Sequence, residues 1–387
     1  MKFKKAALLL GLAAFSANLA LGQEPGQDRS VPHLDHAFVI MMENHAYSQI
    51  IGNTNAPFLN NYAKTANLAT NYFGVGHPSL TNYLEVVGGS NFGVIDDHAP
   101  DWHNSDCVPN IVSGIPSDES TTSNICPIAG VGYDAPTPAV DTTNEGTVSS
   151  PVYNDPLPAA LTVGKTIADQ LVEAGRSWKS YQENLPPYGA DRVNYSDGLI
   201  SDVTQSEPGM PKLYAAKHNP FAYFASVQDG DNPKLSLENI VGFNQLYADL
   251  AIGHVPNLAF IAPNQCHDQH GRGTSEVGTG CSMDQNAIAQ GDAAINTLVT
   301  AIKSSKAWKE GNNVIVIVWD ENDYGTDPNQ VVTIVDTNYA PTGVTSKVKY
   351  NHFSLLKTLE AGFGLDYLNH AADPNVQLMS DLFGAGK

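Results

Sequence analysis

Two stretches of the chain are apolar from end to end and stop at acidic residues. His36 to Met42 is a near-continuous apolar run that ends at Glu43-Asn44-His45. Asn313 to Trp319 holds five β-branched residues and ends at Asp320-Glu321-Asn322. Continuous apolar runs of this length predict strands buried on both faces. Asn257 to Ala262, closed by Pro263-Asn264, predicts a third strand, and Trp178 to Tyr181 a fourth. Helical patterns lie between them. In Asp292 to Ile302, residues Ile295, Leu298, Val299 and Ile302 recur at i, i+3, i+4 and i+7, the stripe of an amphipathic helix. Thr166 to Gly175 places Ile167, Leu171 and Val172 on one face and ends at a glycine suited to a helix C-terminus. Thr54 to Ala66 is mixed and reads as helical. Pro78 to Val87 predicts a short helix entered through Gly74-Val75-Gly76-His77, with Pro78 at its first position. Phe221 to Val227 fits either a strand or a helix end. Strands alternating with helices predict an α/β fold, a mostly parallel central sheet with helices on both faces.

Two segments fall outside this pattern. Three Lys within Met1 to Lys5, an apolar run from Ala6 to Leu21 and the small-x-small sequence Ala20-Leu21-Gly22 predict a signal peptide over residues 1–22. Its run is too short and interrupted for a membrane span. The product is therefore expected to be secreted or periplasmic. Asp96 to Pro158 is rich in Ser, Thr, Asp, Asn, Pro and Gly, and predicts a long polar insertion within one domain spanning 23–387.

Export changes the reading of four cysteines, Cys107, Cys126, Cys266 and Cys281. In an oxidising compartment an even count predicts two disulfides, and three connectivities exist. The neighbouring pairs Cys107–Cys126 and Cys266–Cys281 are favoured, because each closes a short loop. The absence of any C-x-x-C makes a cysteine metal site a poor alternative. Lys+Arg number 20 against 40 Asp+Glu, a net charge of −20. Without the three Lys of residues 1–22 it becomes −23. That balance argues against a nucleic-acid partner and against docking on anionic lipid by charge.

The strand ends carry candidate chemistry. In open α/β sheets ligands bind beyond the carboxyl ends of strands. Glu43, Asn44, Asp320 and Glu321 would converge there if their strands lie in one parallel sheet. Carboxylates that close repel one another unless a cation lies between them. Ser79 falls in the first turn of its predicted helix, beside free backbone N–H groups that suit phosphate oxygens. A metal or base would have to activate it as a nucleophile. Cys266-His267-Asp268-Gln269-His270 follows the Asn257–Ala262 strand and offers further ligands or a general acid. His352, in Tyr350-Asn351-His352-Phe353-Ser354, is another candidate. His33, His98, His218 and His370 read as structural or solvent-facing.

Met42-Glu43-Asn44-His45, His77-Pro78-Ser79-x-x-Asn82-Tyr83, Gln170-Leu171 to Gly175 with Trp178-Lys179-x-Tyr181-x-Glu183, Pro263-Asn264 with Asp268 and His270, Trp319-Asp320-Glu321, and His352-Phe353-Ser354-Leu355-Leu356 occur in that order. The ordered set resembles the bacterial and fungal phosphoesterase family of secreted acid phosphatases and phospholipases C, across residues 34 to 370. That family is similar in core fold to the alkaline phosphatase superfamily. The resemblance implies an acid optimum and a metal-assisted phosphoseryl or phosphothreonyl intermediate. It implies Ser79 as nucleophile and as metal contact, with Glu43, Asn44, Asp320, Glu321 and Asp268 as metal ligands. His270 and His352 would be acid/base or phosphate-contacting groups, and His77 and Asn82 would bind substrate. Glu321 stands where the wider superfamily commonly has the His of an Asp-His pair. Mostly oxygen donors favour Mg²⁺, Ca²⁺ or Mn²⁺, with Zn²⁺ less suited.

Three alternatives are weighed. A phospholipase C would share this site but needs an apolar approach for its lipid. The polar insertion, the charge and the expectation of no added domain after His352 favour a small soluble phosphate ester and no stable membrane association. A sulfatase would need Pro and Arg after its nucleophile, and Ser79-Leu80-Thr81-Asn82 has neither. A non-catalytic secreted binding protein would not need Glu43, Ser79, Asp320 and a nearby His together.

Overall fold

The computed structural model describes residues 30–92, 94, 97, 100, 128, 131–133, 161–185, 213–228, 230–271, 285–325 and 328–384. The segment 1–22, most of 96–158, and Cys107, Cys126 and Cys281 lie outside the described residues. Cys266 is buried and is not a free thiol.

The strands are β1 (His36–Met42), β2 (Asn67–Phe73), β3 (Val131–Tyr133), β4 (Leu161–Val163), β5 (Trp178–Gln182), β6 (Ile240–Gly242), β7 (Leu258–Ala262), β8 (Asn313–Trp319), β9 (Gln330–Thr337), β10 (Thr345–Ser346) and β11 (Tyr350–Asn351). The helices are α1 (Tyr47–Ile50), α2 (Pro57–Thr65), α3 (Ser79–Gly88), α4 (Ile167–Glu173), α5 (Ala225–Gln228), α6 (Phe243–Ile252), α7 (Gln285–Ser304) and α8 (His352–Phe363). Among the described residues, nine strands form one sheet, ordered β10-β2-β9-β8-β1-β7-β5-β6, with β11 also on β2. Pairing is parallel except where β9 runs against β8 and β2.

The apolar runs explain the centre of this sheet. Every residue of β8 is buried, as is all of β1 except His36 at its start. A strand with no polar face must be covered on both sides. One group of helices in mutual contact is α3, α4 and α8, and elsewhere α7 packs against both α2 and α6. Burying each Val or Ile of β8 contributes on the order of 1.5–3 kcal/mol.

Several expectations are refined. Pro78 is the N-cap of α3, not its first helical residue, so Ser79 begins the helix. Phe221–Val227 is helical rather than extended, split between a 3₁₀ turn at Pro220–Tyr223 and α5. α7 is longer than its apolar stripe. The polar insertion is not wholly irregular. β3 pairs with β4 just beyond it, and Ile128 N–H donates to Tyr223 O at 2.8 Å.

Candidate active site

β1 lies between β7 and β8, all parallel, so three strand ends meet on one edge. Met42 pairs with Trp319, which makes Glu43 and Asp320 the first residues beyond a common register line. Asp320 N–H donates to Met42 O at 2.9 Å, and Glu43 N–H donates to Asp268 O at 2.8 Å. Backbone bonds thus fix Glu43, Asp268 and Asp320 relative to one another, with Glu321 next in line. All four carboxyl groups are buried. Asn44 turns the chain away from β1 with a left-handed φ of 52°, which asparagine tolerates, and its N–H donates to Asp320 Oδ1 at 3.2 Å. Gly74 permits close packing behind the edge. A Cβ there would stand 2.6 Å from Asp320 O and 2.8 Å from Asn329 Nδ2.

α3 brings Ser79 to this cluster. Its hydroxyl is 3.1 Å from both Glu43 Oε2 and Glu321 Oε1. One hydroxyl proton serves one acceptor at a time, so with both carboxylates ionised one contact carries no proton. Thr81, the next hydroxyl along, donates to Pro78 O at 2.7 Å and only finishes the helix start. Asn82, expected as a phosphate donor, is hydrogen-bonded to protein groups. Its Oδ1 accepts from Val75 and Gly76 N–H, and its Nδ2 donates to Gly76 O and Glu321 Oε2. It shapes the loop and steadies Glu321. His77 does likewise, its Nδ1 being 2.6 Å from Glu321 Oε2.

The histidines depart furthest from expectation. His218, read from sequence as structural, stands inside the site. Its Nε2 is 3.0 Å from Glu43 Oε1 and its Nδ1 is 3.2 Å from Asp268 Oδ2. Its ring stacks on Tyr83 at 5.2 Å and 4°. The adjacent Lys217 places Nζ 3.4 Å from Ser79 Oγ, 2.9 Å from Asp97 Oδ2 and 3.5 Å from His270 Nε2. Neither residue lies in a periodic or motif-bearing stretch; a Lys-His pair before Asn219-Pro220 was the sole available signal. His270 is positioned by its N–H on Asp268 Oδ1 at 2.7 Å, and its Nε2 lies 3.5 Å from Lys217 Nζ.

His352 is held between the Asp320 backbone and Tyr72. Its Nε2 meets Asp320 O at 2.6 Å and its Nδ1 meets Tyr72 Oη at 3.1 Å. A carbonyl only accepts, so Nε2 carries the proton and Nδ1 accepts from Tyr72. Burial pushes this imidazole down to about 4. Its usual value is 6.5. In that window the unfolded chain binds the proton that the folded ring refuses. The contribution of a neutral His352 is therefore complete above about pH 6.5 and is lost as pH falls toward 4, by up to about 3 kcal/mol. We expect the stability difference between wild type and His352→Gln, from urea unfolding, to shrink across that range. A difference independent of pH would contradict the neutral buried ring.

The charges define what the site can hold. Burial raises the pKa of Glu43, Asp268, Asp320 and Glu321, and neighbouring carboxylates raise each further. Burial, then Lys217 and His270, holds His218 well below its usual value. A neutral ring has one N–H for two carboxylates. Asn44 Oδ1 and Asp320 Oδ2 are buried and accept no hydrogen bond. All these features fit a divalent cation. Glu43, His218 and Asp268 form a candidate metal site, their ligating atoms within 4.8 Å of one another. Three carboxylate or imidazole groups suit a hard or borderline ion.

The family match gives the class, a phosphoric ester hydrolase built on an α/β fold. The chain belongs to the Phosphoesterase family, whose model matches residues 53–366. The match includes Ser79, Asp268, Asp320 and Glu321, while Glu43 and Asn44 precede it. Over 356 residues the chain is 25% identical to the phosphatidylinositol-3-phosphatase of Mycobacterium tuberculosis, covering 92% of this chain and 85% of that protein. It is 26% identical over 313 residues to the phosphate-repressible acid phosphatase of Penicillium chrysogenum, covering 80% of this chain. The chain spans 55% of the length of that fungal enzyme. Among solved structures it is similar to a protein in the alkaline phosphatase superfamily from Vibrio parahaemolyticus, with a TM-score of 0.48 at 11% identity over 90% of this chain and 72% of that one.

Proposed function

We propose that the protein is a secreted, metal-dependent acid phosphatase that hydrolyses phosphomonoesters through a phosphoserine at Ser79. The observation that carries this reading is the Ser79 hydroxyl placed 3.1 Å from two buried carboxylates, Glu43 and Glu321. Glu43, Asn44, Asp320, Glu321 and the Ser79 oxygen, with Asp268 and His218 alongside, are the groups that would hold the cation. When bound, it would neutralise phosphoryl charge and favour the serine alkoxide. Oxygen donors suit Mg²⁺, Ca²⁺ or Mn²⁺, while the His218 nitrogen also admits Zn²⁺.

The chain's own groups account for the proton steps. Ser79 loses its proton to Glu43 or Glu321. Its Oγ forms the new bond to phosphorus as the bond to the alcohol oxygen breaks. His270 gives that oxygen its proton and then takes one from the water that attacks the phosphoserine. Phosphate leaves and Ser79 regains its hydroxyl. Secretion rests on the leader-like residues 1–22, and the Cys107–Cys126 and Cys266–Cys281 pairings belong to the same reading.

A second reading concerns the alcohol. The Mycobacterium tuberculosis relative is named for a lipid phosphomonoester and covers 92% of this chain. We expect p-nitrophenyl phosphate to exceed a phosphocholine ester and phosphatidylcholine micelles in kcat/KM, because the net charge of −20 and the polar composition of 96–158 favour a small soluble ester. A phosphoinositide 3-phosphate in micelles is the arm that tests the lipid reading. Preference for the choline ester would make the protein a phospholipase C.

A further inference from the structure

Resting on the phosphatase reading, we propose that Lys217 binds the phosphoryl group at Ser79 and makes the enzyme select dianionic monoesters over monoanionic diesters. Lys217 sits in the 3₁₀ turn Ala216–His218, which packs against α3. Its ammonium stands between the Ser79 hydroxyl, at 3.4 Å, and His270 Nε2, at 3.5 Å. Its side chain is 16% exposed, so an entering ligand can reach it.

An anion already occupies these donors. Asp97 Oδ2 accepts from Lys217 at 2.9 Å, and Asp97 Oδ1 accepts from the Leu80 N–H at 3.0 Å. One carboxylate thus spans an ammonium and a first-turn amide of α3, both next to Ser79. Two oxygens of a phosphoryl group ask for the same two donors.

Charge makes the choice of ester. Glu43, Asp268, Asp320 and Glu321 repel any phosphate that approaches Ser79. The positive side chain that bears on all four is Lys217. Above the second phosphate pKa, about 6, where the comparison is made, a monoester carries two charges to that ammonium and a diester one. In a buried site, where screening is weak, the second charge is worth more than it is in water. A divalent cation alone would leave the four acids balanced only in part.

The test uses the metal-loaded protein with Lys217→Met, Lys217→Arg and Asp97→Asn. Substrates are p-nitrophenyl phosphate and bis(p-nitrophenyl) phosphate, and inorganic phosphate is the inhibitor. Lys217→Met should cut kcat/KM on the monoester by about 100- to 1,000-fold, the cost of one lost oxyanion donor. The diester should fall by roughly tenfold or less. Phosphate should inhibit the variant more weakly, and Lys217→Arg should recover much of both. Equal losses on the two esters with unchanged phosphate inhibition would make Lys217 a mere tether for Asp97 and overturn the proposal. Should the Met variant not fold, Asp97→Asn still decides. It removes the competing anion, so phosphate should inhibit more tightly, and no gain would count against the proposal. The phosphate-induced rise in melting temperature reads the contact without turnover. Wild type that hydrolyses neither ester yet shows a Lys217-dependent rise would fail the phosphatase reading alone.

Discussion

Ser79→Ala is expected to lower kcat by at least about 1,000-fold while leaving the circular dichroism unchanged. The hydroxyl touches two site carboxylates from the first residue of α3. Its removal leaves a methyl group of nearly the same volume, so packing of the fully buried α3 should survive. The effect should appear in kcat rather than KM, since Lys217 and the α3 amides remain to bind the ester. Trapping with labelled substrate and acid quench should yield phosphoserine in wild type and none in the variant. Thr81 offers no substitute nucleophile, because its hydroxyl is committed to Pro78 O. Retention of a sizeable fraction of the rate would make Ser79 a structural hydroxyl and sink the phosphoserine mechanism.

Removal of divalent metal is expected to abolish turnover and lower the melting temperature, with both restored by adding the ion back. Ligand binding at 100 times Kd stabilises a fold by about 2.7 kcal/mol. Glu43→Gln and Asp320→Asn should each weaken metal affinity by at least about 10- to 100-fold, a loss typical even for outer contacts to a metal. Protons compete for the same oxygens. Burial and mutual repulsion raise these carboxyls, so apparent affinity should fall as pH falls from neutral. Titration calorimetry on both variants and elemental analysis of the stripped protein check this. Full activity in demonstrably metal-free protein would rule the cation out.

Much of the fold was legible along the chain. β1 and β8 coincide with their apolar runs because a strand buried on both faces has no polar position to blur it. Other elements were hidden by physical causes. α8 is buried on every side, so it shows no amphipathic stripe. β2 carries a bulge between Ala69 and Tyr72 and two half-buried polar residues, which breaks its pattern.

What the sequence alone determined was the set of acids at strand ends and the serine at a helix start. Both follow from local rules, since a run must end and a helix must begin. The tertiary structure decided which side chains face the serine. His218 and Lys217 arrive on a 3₁₀ turn far from every motif, and Lys217 lies 138 residues from Ser79. Asn82 and His352, prominent in the motifs, turn instead to Glu321, the Gly76 loop and the Asp320 carbonyl. A side chain's partner depends on which elements pack against its own, and no local pattern encodes that. The strand order makes the difference here. Placing β1 beside β7 sets Glu43 and Asp268 within reach of one imidazole, although 225 residues separate the two.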